Sequence, residues 1–155
     1  GFCLVGSEMC IRDRFQLDLN EKDVMDMGCG TGVLAILAKK LGASMVEGVD
    51  IEEWAYENSV ENAELNEINE IDFFLGDGEL IVGKKFDVIL ANINRNILLG
   101  DIDKYSNALK PGGLLLMSGF YTTDVDVLVD AGKKSGLNFV HSKSKNGWAL
   151  LQLTK

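Results

Sequence analysis

The sequence predicts an α/β fold: a doubly wound, mostly parallel seven-stranded sheet closed by an antiparallel C-terminal hairpin. Apolar strand-like runs alternate with helix-like segments from residue 24 to residue 135, which is typical of parallel strands joined by helices. After Gly136, two strand-like runs are joined by the polar stretch "HSKSKNG" without a helix, which indicates antiparallel pairing. Because the earlier runs are continuously apolar, we expect helices on both faces of the sheet.

The elements follow from the hydrophobic periodicity, taken in chain order. Strands are predicted at 24–27, 45–49, 71–75, 86–91, 114–118, 137–140 and 148–153. Helices are predicted at about 32–41, 53–66, 97–109 and 123–135. In such a sheet the ligand lies at the carboxyl ends of the strands, near the point where the strand order reverses. Asp26, Gly28, Asp50, Asp77 and Asn92 stand at those ends.

The first strand-to-helix turn contains three glycines at alternate positions, in the stretch "VMDMGCGTGVLA" over residues 24–35. Glycine is favoured where the backbone needs a positive φ angle or where a ligand approaches it closely. The start of a helix also offers unpaired N–H groups, which suit the anionic part of a nucleotide-like ligand. Gly28, Gly30 and Gly32 therefore predict a ligand site, and the alternative is a tight turn built for packing alone.

Asp50 ends the second predicted strand and follows the glycine loop at the spacing of a ribose-binding carboxylate. Its alternative role is to cap a helix, because "DIEEWA" opens the next one. The loop "GCGTG" places its third glycine one position too early for the G-x-G-x-x-G pattern of dinucleotide sites, and Val33 stands where that glycine would be. This register, together with the closing hairpin, disfavours a nicotinamide-dependent oxidoreductase, which remains a rival hypothesis.

Composition limits the classes of function that the chain can serve. Its 155 residues are 46% hydrophobic, enough for one domain with a core. The formal net charge of −9 argues against nucleic-acid binding, and the acidic surface either attracts a basic partner or keeps the chain in solution. We expect a cytoplasmic protein, since no run has the length of a membrane helix and no signal peptide is apparent. Cys3, Cys10, Cys29 and His141 lack metal-ligand spacing, so we expect no metal site, and a packing role for Cys29.

Several motifs together resemble the class I methyltransferases that use S-adenosylmethionine. They are "DMGCGTG", Asp50 after the second strand, "GDG" after the third, "LKPGG" before the fifth, and the closing hairpin. Longer stretches, "VDIEEWAYENSVENAELN", "ANINRNILL" and "LKPGGLLLMSGFY", are similar to the bacterial PrmA family, which methylates ribosomal protein eleven of the large subunit. The resemblance implies a Rossmann-like methyltransferase fold and transfer of methyl groups to lysine or N-terminal amino groups of a basic ribosomal protein.

The resemblance also implies roles for the residues around the glycine loop. Gly28 and Gly30 would let the backbone approach the methionine part of S-adenosylmethionine, and Gly32 would pack the helix onto the strand. Asp26 would lie near the ammonium group of the cofactor or, alternatively, would cap neighbouring N–H groups. Ile51 would offer an apolar face to the adenine.

Two further residues are assigned by the same resemblance. Asp77 would accept a hydrogen bond from the adenine amino group, or would only form the "GDG" turn. Asn92 is the predicted catalytic residue, because a carboxamide can hold the cofactor and a substrate amine without adding charge. Its alternative role is to cap the strand end. Asn94, Arg95 and Asn96 are either substrate contacts or part of a polar loop.

The domain organisation is predicted in the same way. Residues 1–14 fit neither hydrophobic period and resemble a read-through string from environmental sequence assemblies, so we expect a non-native leader and a catalytic domain over 15–155. Family members carry an N-terminal substrate-recognition domain, and we expect the printed sequence to lack it. Two alternatives to the PrmA-type activity are a methyltransferase for another protein or a small molecule, and a non-catalytic module that binds S-adenosylmethionine.

Overall fold

The computed structural model describes residues 17–155, which form one seven-stranded mixed sheet with helices on both faces. The strands are β1 (Asp23–Met27), β2 (Met45–Asp50), β3 (Ile71–Leu75), β4 (Phe86–Asn92), β5 (Leu109–Tyr121), β6 (Asn138–Lys145) and β7 (Trp148–Thr154). The helices are α1 (Val33–Lys40), α2 (Glu53–Leu65), α3 (Arg95–Asn107) and α4 (Val125–Lys134), with two short 3₁₀ helices at Gly78–Ile81 and Thr122–Asp124. The expected leader, residues 1–14, lies outside the described residues.

The strand order is β3-β2-β1-β4-β5-β7-β6. The five strands from β3 to β5 are parallel to one another, and β7 pairs antiparallel with both β5 and β6. The predicted doubly wound sheet with a closing antiparallel hairpin is therefore confirmed. Because the chain winds outward from β1 in one direction and then returns to place β4 on its other side, the order reverses between β1 and β4, where α/β sheets bind their ligands.

Alternation along the central strands creates two separate hydrophobic cores. Val24 and Val88 pack on one face, in the cluster that includes Leu34 and Ala38 of α1. Their neighbours on β1 and β4, such as Ile89, point to the opposite face, in the larger cluster that includes residues of α3 and α4. A sheet covered on both faces leaves only its strand ends open, so we expect a ligand site at those ends.

Three elements differ clearly from their predicted extents. β6 runs to Lys145, whereas 137–140 was predicted, because most of the polar stretch "HSKSKNG" pairs with β7 and only Asn146 and Gly147 form the turn. α3 begins at Arg95 instead of near residue 97, because the Asn94 side chain caps it by accepting a hydrogen bond from the Ile97 N–H at 3.1 Å. β5 spans 13 residues, whereas five were predicted, since Leu109 already pairs with Phe86 and the "KPGG" stretch is accommodated as an irregularity before the pairing resumes at Leu114.

The described helices are all short. The longest, α2 and α3, have 13 residues each. None of the helices within residues 17–155 has the length and apolar content that crossing a bilayer would require.

Candidate functional site

A cleft of about 240 Å³ lies at the carboxyl ends of the central strands, at the point where the strand order reverses. Its described lining residues are Met27, Gly28, Val49, Asp50, Ile51, Gly76, Asp77, Gly78, Asn92, Ile93, Ile97, Asp101 and Tyr105. The structure thus brings together five of the eight predicted site residues: Gly28, Asp50, Ile51, Asp77 and Asn92. The other three, Asp26, Gly30 and Gly32, stand beside this lining and are not part of it.

The glycine loop is held against the end of β2. Gly28, Gly30 and Gly32 all have positive φ angles, at 73°, 56° and 80°, which explains why glycine occupies each position. The N–H groups of Gly28 and Cys29 both donate to the Val49 carbonyl, at 2.8 and 3.0 Å. A Cβ atom on Gly28 would come within 2.9 Å of the Ile93 side chain, so the loop passes close to the end of β4.

Asp50 ties this loop to the start of α2. One carboxylate oxygen accepts from the Gly30 N–H at 2.8 Å and the other from the Glu52 N–H at 2.9 Å. The N-cap residue of α2 is Glu52, so Asp50 supports the helix start from outside the cap position. Each carboxylate oxygen has a second lone pair, and Asp50 also lines the cleft, so the same group has the capacity to accept from a ligand hydroxyl.

Gly32 packs against α2. A Cβ on Gly32 would lie 3.1 Å from the Ser59 Cβ, so the close contact of Gly32 is with α2. The expected contact was with the strand. The Ser59 hydroxyl donates to the Gly30 carbonyl at 2.7 Å and lies 3.5 Å from the Cys29 sulfur. Burial, followed by the nearby Asp26 charge, raises the pKa of the Cys29 thiol to about 12. The thiol is therefore protonated at neutral pH, which suits the packing role expected for it.

Asp26 and Asp77 occupy different environments. Asp26 is 1% exposed within β1, beneath the loop. Asp77 is exposed at the cleft, where its side chain accepts from the Glu79 N–H at 3.0 Å and caps the first 3₁₀ helix. The turn-forming role considered for Asp77 is thus present in the structure, and its position on the cleft leaves the adenine role open as a proposal.

One wall of the cleft comes from α3, and the sequence did not predict this wall. Ile97, Asp101 and Tyr105 are spaced four residues apart, so they lie on one face of the helix, and all three line the cleft. Tyr105 is fully buried, and its hydroxyl has no hydrogen-bond partner among the described residues. Burial, and then the Asp101 carboxylate, raise the pKa of Tyr105, which keeps the hydroxyl protonated as a donor. The i, i+4, i+8 spacing of these three residues could have indicated the wall, but the same spacing is typical of a helix face that packs into a hydrophobic core.

Salt bridges hold this wall in place over the third strand end. Lys104 pairs with Asp101 and with Glu79, each at 2.9 Å, and so joins α3 to the first 3₁₀ helix. A Cβ on Gly78 would approach Asp101 to 2.5 Å, so the second glycine of "GDG" leaves room for that carboxylate.

Asn92 is half-buried at the end of β4 and pairs in register with Ser118 of β5. The Ser118 hydroxyl donates to the Asn92 Oδ1 atom at 2.9 Å, and the Ile93 N–H donates to the Ser118 carbonyl at 3.0 Å. Ser118 is 3% exposed. This serine is not among the predicted site residues, although it lies in the stretch "LKPGGLLLMSGFY".

The polar stretch after Asn92 forms the cap and first turn of α3. Asn94 is the N-cap, and Arg95 forms a salt bridge with Asp124 at 3.1 Å, which joins the segments that follow β4 and β5. A second, shallower cavity of about 380 Å³ lies between these segments, and Asn96 and Gly119 are among its lining residues. Within residues 17–155, no three His, Cys, Asp or Glu side chains cluster as metal ligands would.

The sequence of the chain is similar to that of known proteins from one family. The family model described as "Ribosomal protein L11 methyltransferase (PrmA)" matches residues 6–155. The ribosomal protein L11 methyltransferase of Porphyromonas gingivalis is 50% identical over 139 residues, which are 89% of this chain and 48% of that protein.

Two solved structures are similar in fold. The ribosomal protein L11 methylase of Lactobacillus delbrueckii subsp. bulgaricus superposes with a TM-score of 0.85 at 30% identity, covering 94% of this chain and 74% of that one. An S-adenosylmethionine-dependent methyltransferase from Mesorhizobium loti superposes with a TM-score of 0.77 at 14% identity, covering 94% and 95%. The chain spans about half the length of the curated relatives that it matches, 48% and 53% for two of them.

Proposed function

Because the chain belongs to the ribosomal protein L11 methyltransferase (PrmA) family, we propose that it transfers methyl groups from S-adenosylmethionine to lysine or N-terminal amino groups of that ribosomal protein. The observation that carries the proposal is the cleft in which the glycine loop, Asp50 and Asn92 meet at the reversal of strand order. The proposal covers residues 15–155 as the catalytic domain.

The residues of the cleft fit S-adenosylmethionine. Gly28 lines the cleft in close contact with Ile93, and Asp50 has free acceptor capacity for ribose hydroxyls. Ile51 is 70% exposed beside Asp50, so an apolar side chain is available to an adenine ring. The Tyr105 hydroxyl, which has no partner among residues 17–155, is a buried donor on the cleft wall that a polar ligand atom would satisfy.

Asn92 is the residue that we assign to the chemistry. When bound, S-adenosylmethionine supplies a methyl group on a sulfonium that is already a good leaving group, so the protein need not provide a general acid. The task of the chain is to hold an amine in line with that methyl group. The Asn92 carboxamide can accept from the amine at Oδ1 and donate through Nδ2 to the carboxylate end of the cofactor.

The amine must be neutral before it reacts. A desolvated, partly apolar surrounding favours the neutral form of an amine, and Met27, Ile93 and Ile97 give the cleft such a lining. A negatively charged chain, at −9, also suits a basic ribosomal protein as the partner, because opposite charges speed encounter. We place this reaction in the cytoplasm.

The direct test mixes the chain with S-adenosylmethionine and purified ribosomal protein L11, and follows methylation of the L11 by intact-protein mass spectrometry. We expect methylated L11, binding of S-adenosylhomocysteine by calorimetry, and no binding of NAD. Asn92→Ala should lower turnover far more than it lowers cofactor affinity, because the residue acts where the methyl group and the nucleophile meet.

The other outcomes separate the alternatives. Binding of the cofactor with no transfer to L11 or to any other basic protein would indicate a binding module. Transfer to a different acceptor but not to L11 would indicate another methyltransferase, and NAD binding alone would overturn the assignment.

A further inference from the structure

We propose that Ser118 is a positioning residue that fixes the carboxamide of Asn92 in the geometry required for methyl transfer. The inference rests on the proposed function, because it assumes that Asn92 contacts the reacting groups. It adds a residue of β5 to a site otherwise built from the ends of β1 to β4 and from α3.

The first support is the contact between the two side chains. Asn92 and Ser118 are partners in the parallel pairing of β4 with β5, so their side chains project from the same face of the sheet. The Ser118 hydroxyl donates to the Asn92 Oδ1 atom at 2.9 Å. The backbone is fixed as well, because the Ile93 N–H donates to the Ser118 carbonyl at 3.0 Å.

The second support is the difference in burial between the two residues. Asn92 is only half-buried at a strand end, so its carboxamide would otherwise sample several rotamers. Ser118 is 3% exposed, so water competes poorly for its hydroxyl. The bond uses one lone pair of Oδ1 and leaves the second, together with both Nδ2 hydrogens, for ligands.

Gly119 provides the space for this arrangement. Its φ angle is 96°, which a side chain would strain. A Cβ atom there would lie 3.2 Å from the Asn92 Oδ1 atom and 3.0 Å from the Ile93 carbonyl oxygen. In the stretch "SGF", the serine therefore holds the carboxamide while the glycine leaves room for it.

The test is a double-mutant cycle on the 155-residue chain with Ser118→Ala, Asn92→Ala and the double variant. We expect Ser118→Ala to lower kcat for L11 methylation by about five- to twentyfold, the effect of losing one buried hydrogen bond. Calorimetric affinity for S-adenosylhomocysteine should stay within about twofold, because only the transition state requires the fixed carboxamide. In the Asn92→Ala background, Ser118→Ala should change kcat no further.

Two comparison variants separate positioning from general damage. Ser118→Cys keeps the size of the side chain and a weak donor, so its kcat should lie between those of the wild type and Ser118→Ala. Ser106→Ala removes another buried hydroxyl, which donates to the Ser135 carbonyl at 2.6 Å and does not line the cleft, although it follows Tyr105 in the chain. It should lower the thermal midpoint without changing kcat.

A readout that needs no turnover is the side-chain amide signal of Asn92 in ¹⁵N NMR spectra, assigned by its loss in Asn92→Ala. Its order parameter should fall in Ser118→Ala and hold in Ser106→Ala. An unchanged order parameter, or a loss of kcat that persists in the Asn92→Ala background, would overturn the positioning role. A wild-type chain that transfers no methyl group would overturn the proposed function instead, and the NMR comparison would still decide whether Ser118 orders Asn92.

Discussion

Among the single residues of the cleft, Asp50 has the clearest structural role. Its two carboxylate oxygens accept from the Gly30 and Glu52 N–H groups, so it fixes the glycine loop against the start of α2. The sequence left two roles open for this residue, ribose acceptor and helix cap. The structure shows a bridge between the two segments, which keeps the carboxylate on the cleft with acceptor capacity to spare.

Asp50→Ala should therefore affect both properties. We expect binding of S-adenosylhomocysteine to weaken by about 1.5–3 kcal/mol, the scale of hydrogen bonds to a charged acceptor. The thermal midpoint should fall moderately, while the fold persists. Asp18→Ala is the matched control, because Asp18 also accepts from the N–H two residues ahead, at 3.0 Å, but does not line the cleft. A loss of stability with unchanged affinity would show that Asp50 is structural only.

For a substitution at Tyr105 we expect weaker ligand binding without a loss of stability. Its buried hydroxyl has no partner among the described residues, and such a group costs stability. Tyr105→Phe should leave the free energy of unfolding unchanged or raise it, measured in urea without ligand. If a ligand atom satisfies the hydroxyl, affinity for S-adenosylhomocysteine should fall by about five- to tenfold in calorimetry. Equal affinity in the two proteins would remove Tyr105 from the binding site.

At the scale of elements, the hydrophobic periods predicted the seven strands and four α-helices of the described region, but not its two 3₁₀ helices. The extents that differed depend on contacts that the period does not encode. Asn94 starts α3 early through a side-chain cap, and "KPGG" reads as a turn although Leu109 before it already pairs with Phe86. Asp101 and Tyr105 were missed for the same reason, since only the packed position of α3 brings them to the cleft. Ser118 was missed because only the pairing of β4 with β5 brings it to Asn92.

At the amino ends of the strands, away from the cleft, a network of charged side chains joins β1, β4 and β5. Lys110 at the start of β5 pairs with Asp23 of β1 at 2.9 Å and with Asp87 of β4 at 3.2 Å. Burial acts to raise the pKa of Asp87, but hydrogen bonds from the Asp23 N–H and from Lys110 outweigh it and lower that pKa. Hydrogen bonds to Asp23 and Asp87 raise the pKa of Lys110.

These shifts give stability a predictable pH dependence. The lowered pKa of Asp87 contributes stability that is complete above the ordinary carboxyl value of 3.8 and is lost as the pH falls through the lower folded value. The raised pKa of Lys110 contributes stability below 10.5 that is lost as the pH rises through its higher folded value. Lys110→Met should therefore lower the thermal midpoint at neutral pH, and the difference from the wild type should shrink on acidification below 3.8.

Thermal melting of both proteins from neutral pH downward measures this difference. Lys134→Met is the control, because the Lys134 pair with Asp130 is exposed, with 77% and 63% of the two side chains accessible. It should leave the midpoint nearly unchanged across the range. A Lys110→Met deficit that stays constant with pH would assign the loss to packing of the lysine stem instead of to the charge network.

For the whole molecule, the two ends of the sheet carry different features. The amino ends of the strands carry the Lys110 network, and the carboxyl ends carry the cleft. The curated relatives are about twice as long as this chain, since it covers 48% and 53% of two of them. We therefore expect cofactor binding and target recognition to depend on different parts of the family's proteins.

This separation predicts that the 155-residue chain binds S-adenosylhomocysteine but methylates L11 less efficiently than a chimera in which it replaces the matching half of the Porphyromonas gingivalis protein. A tethered recognition domain raises the effective concentration of the target at the cleft, and its contribution to avidity is about 10²–10⁴-fold. The deficit should appear in kcat/KM for L11 and should narrow at saturating L11, because the catalytic contacts are the same in both proteins. Measuring both proteins on one L11 preparation, with calorimetry of the cofactor alongside, tests the prediction. Equal kcat/KM values would mean that the cleft itself selects the substrate, and a smaller acceptor than a ribosomal protein would then become the better hypothesis.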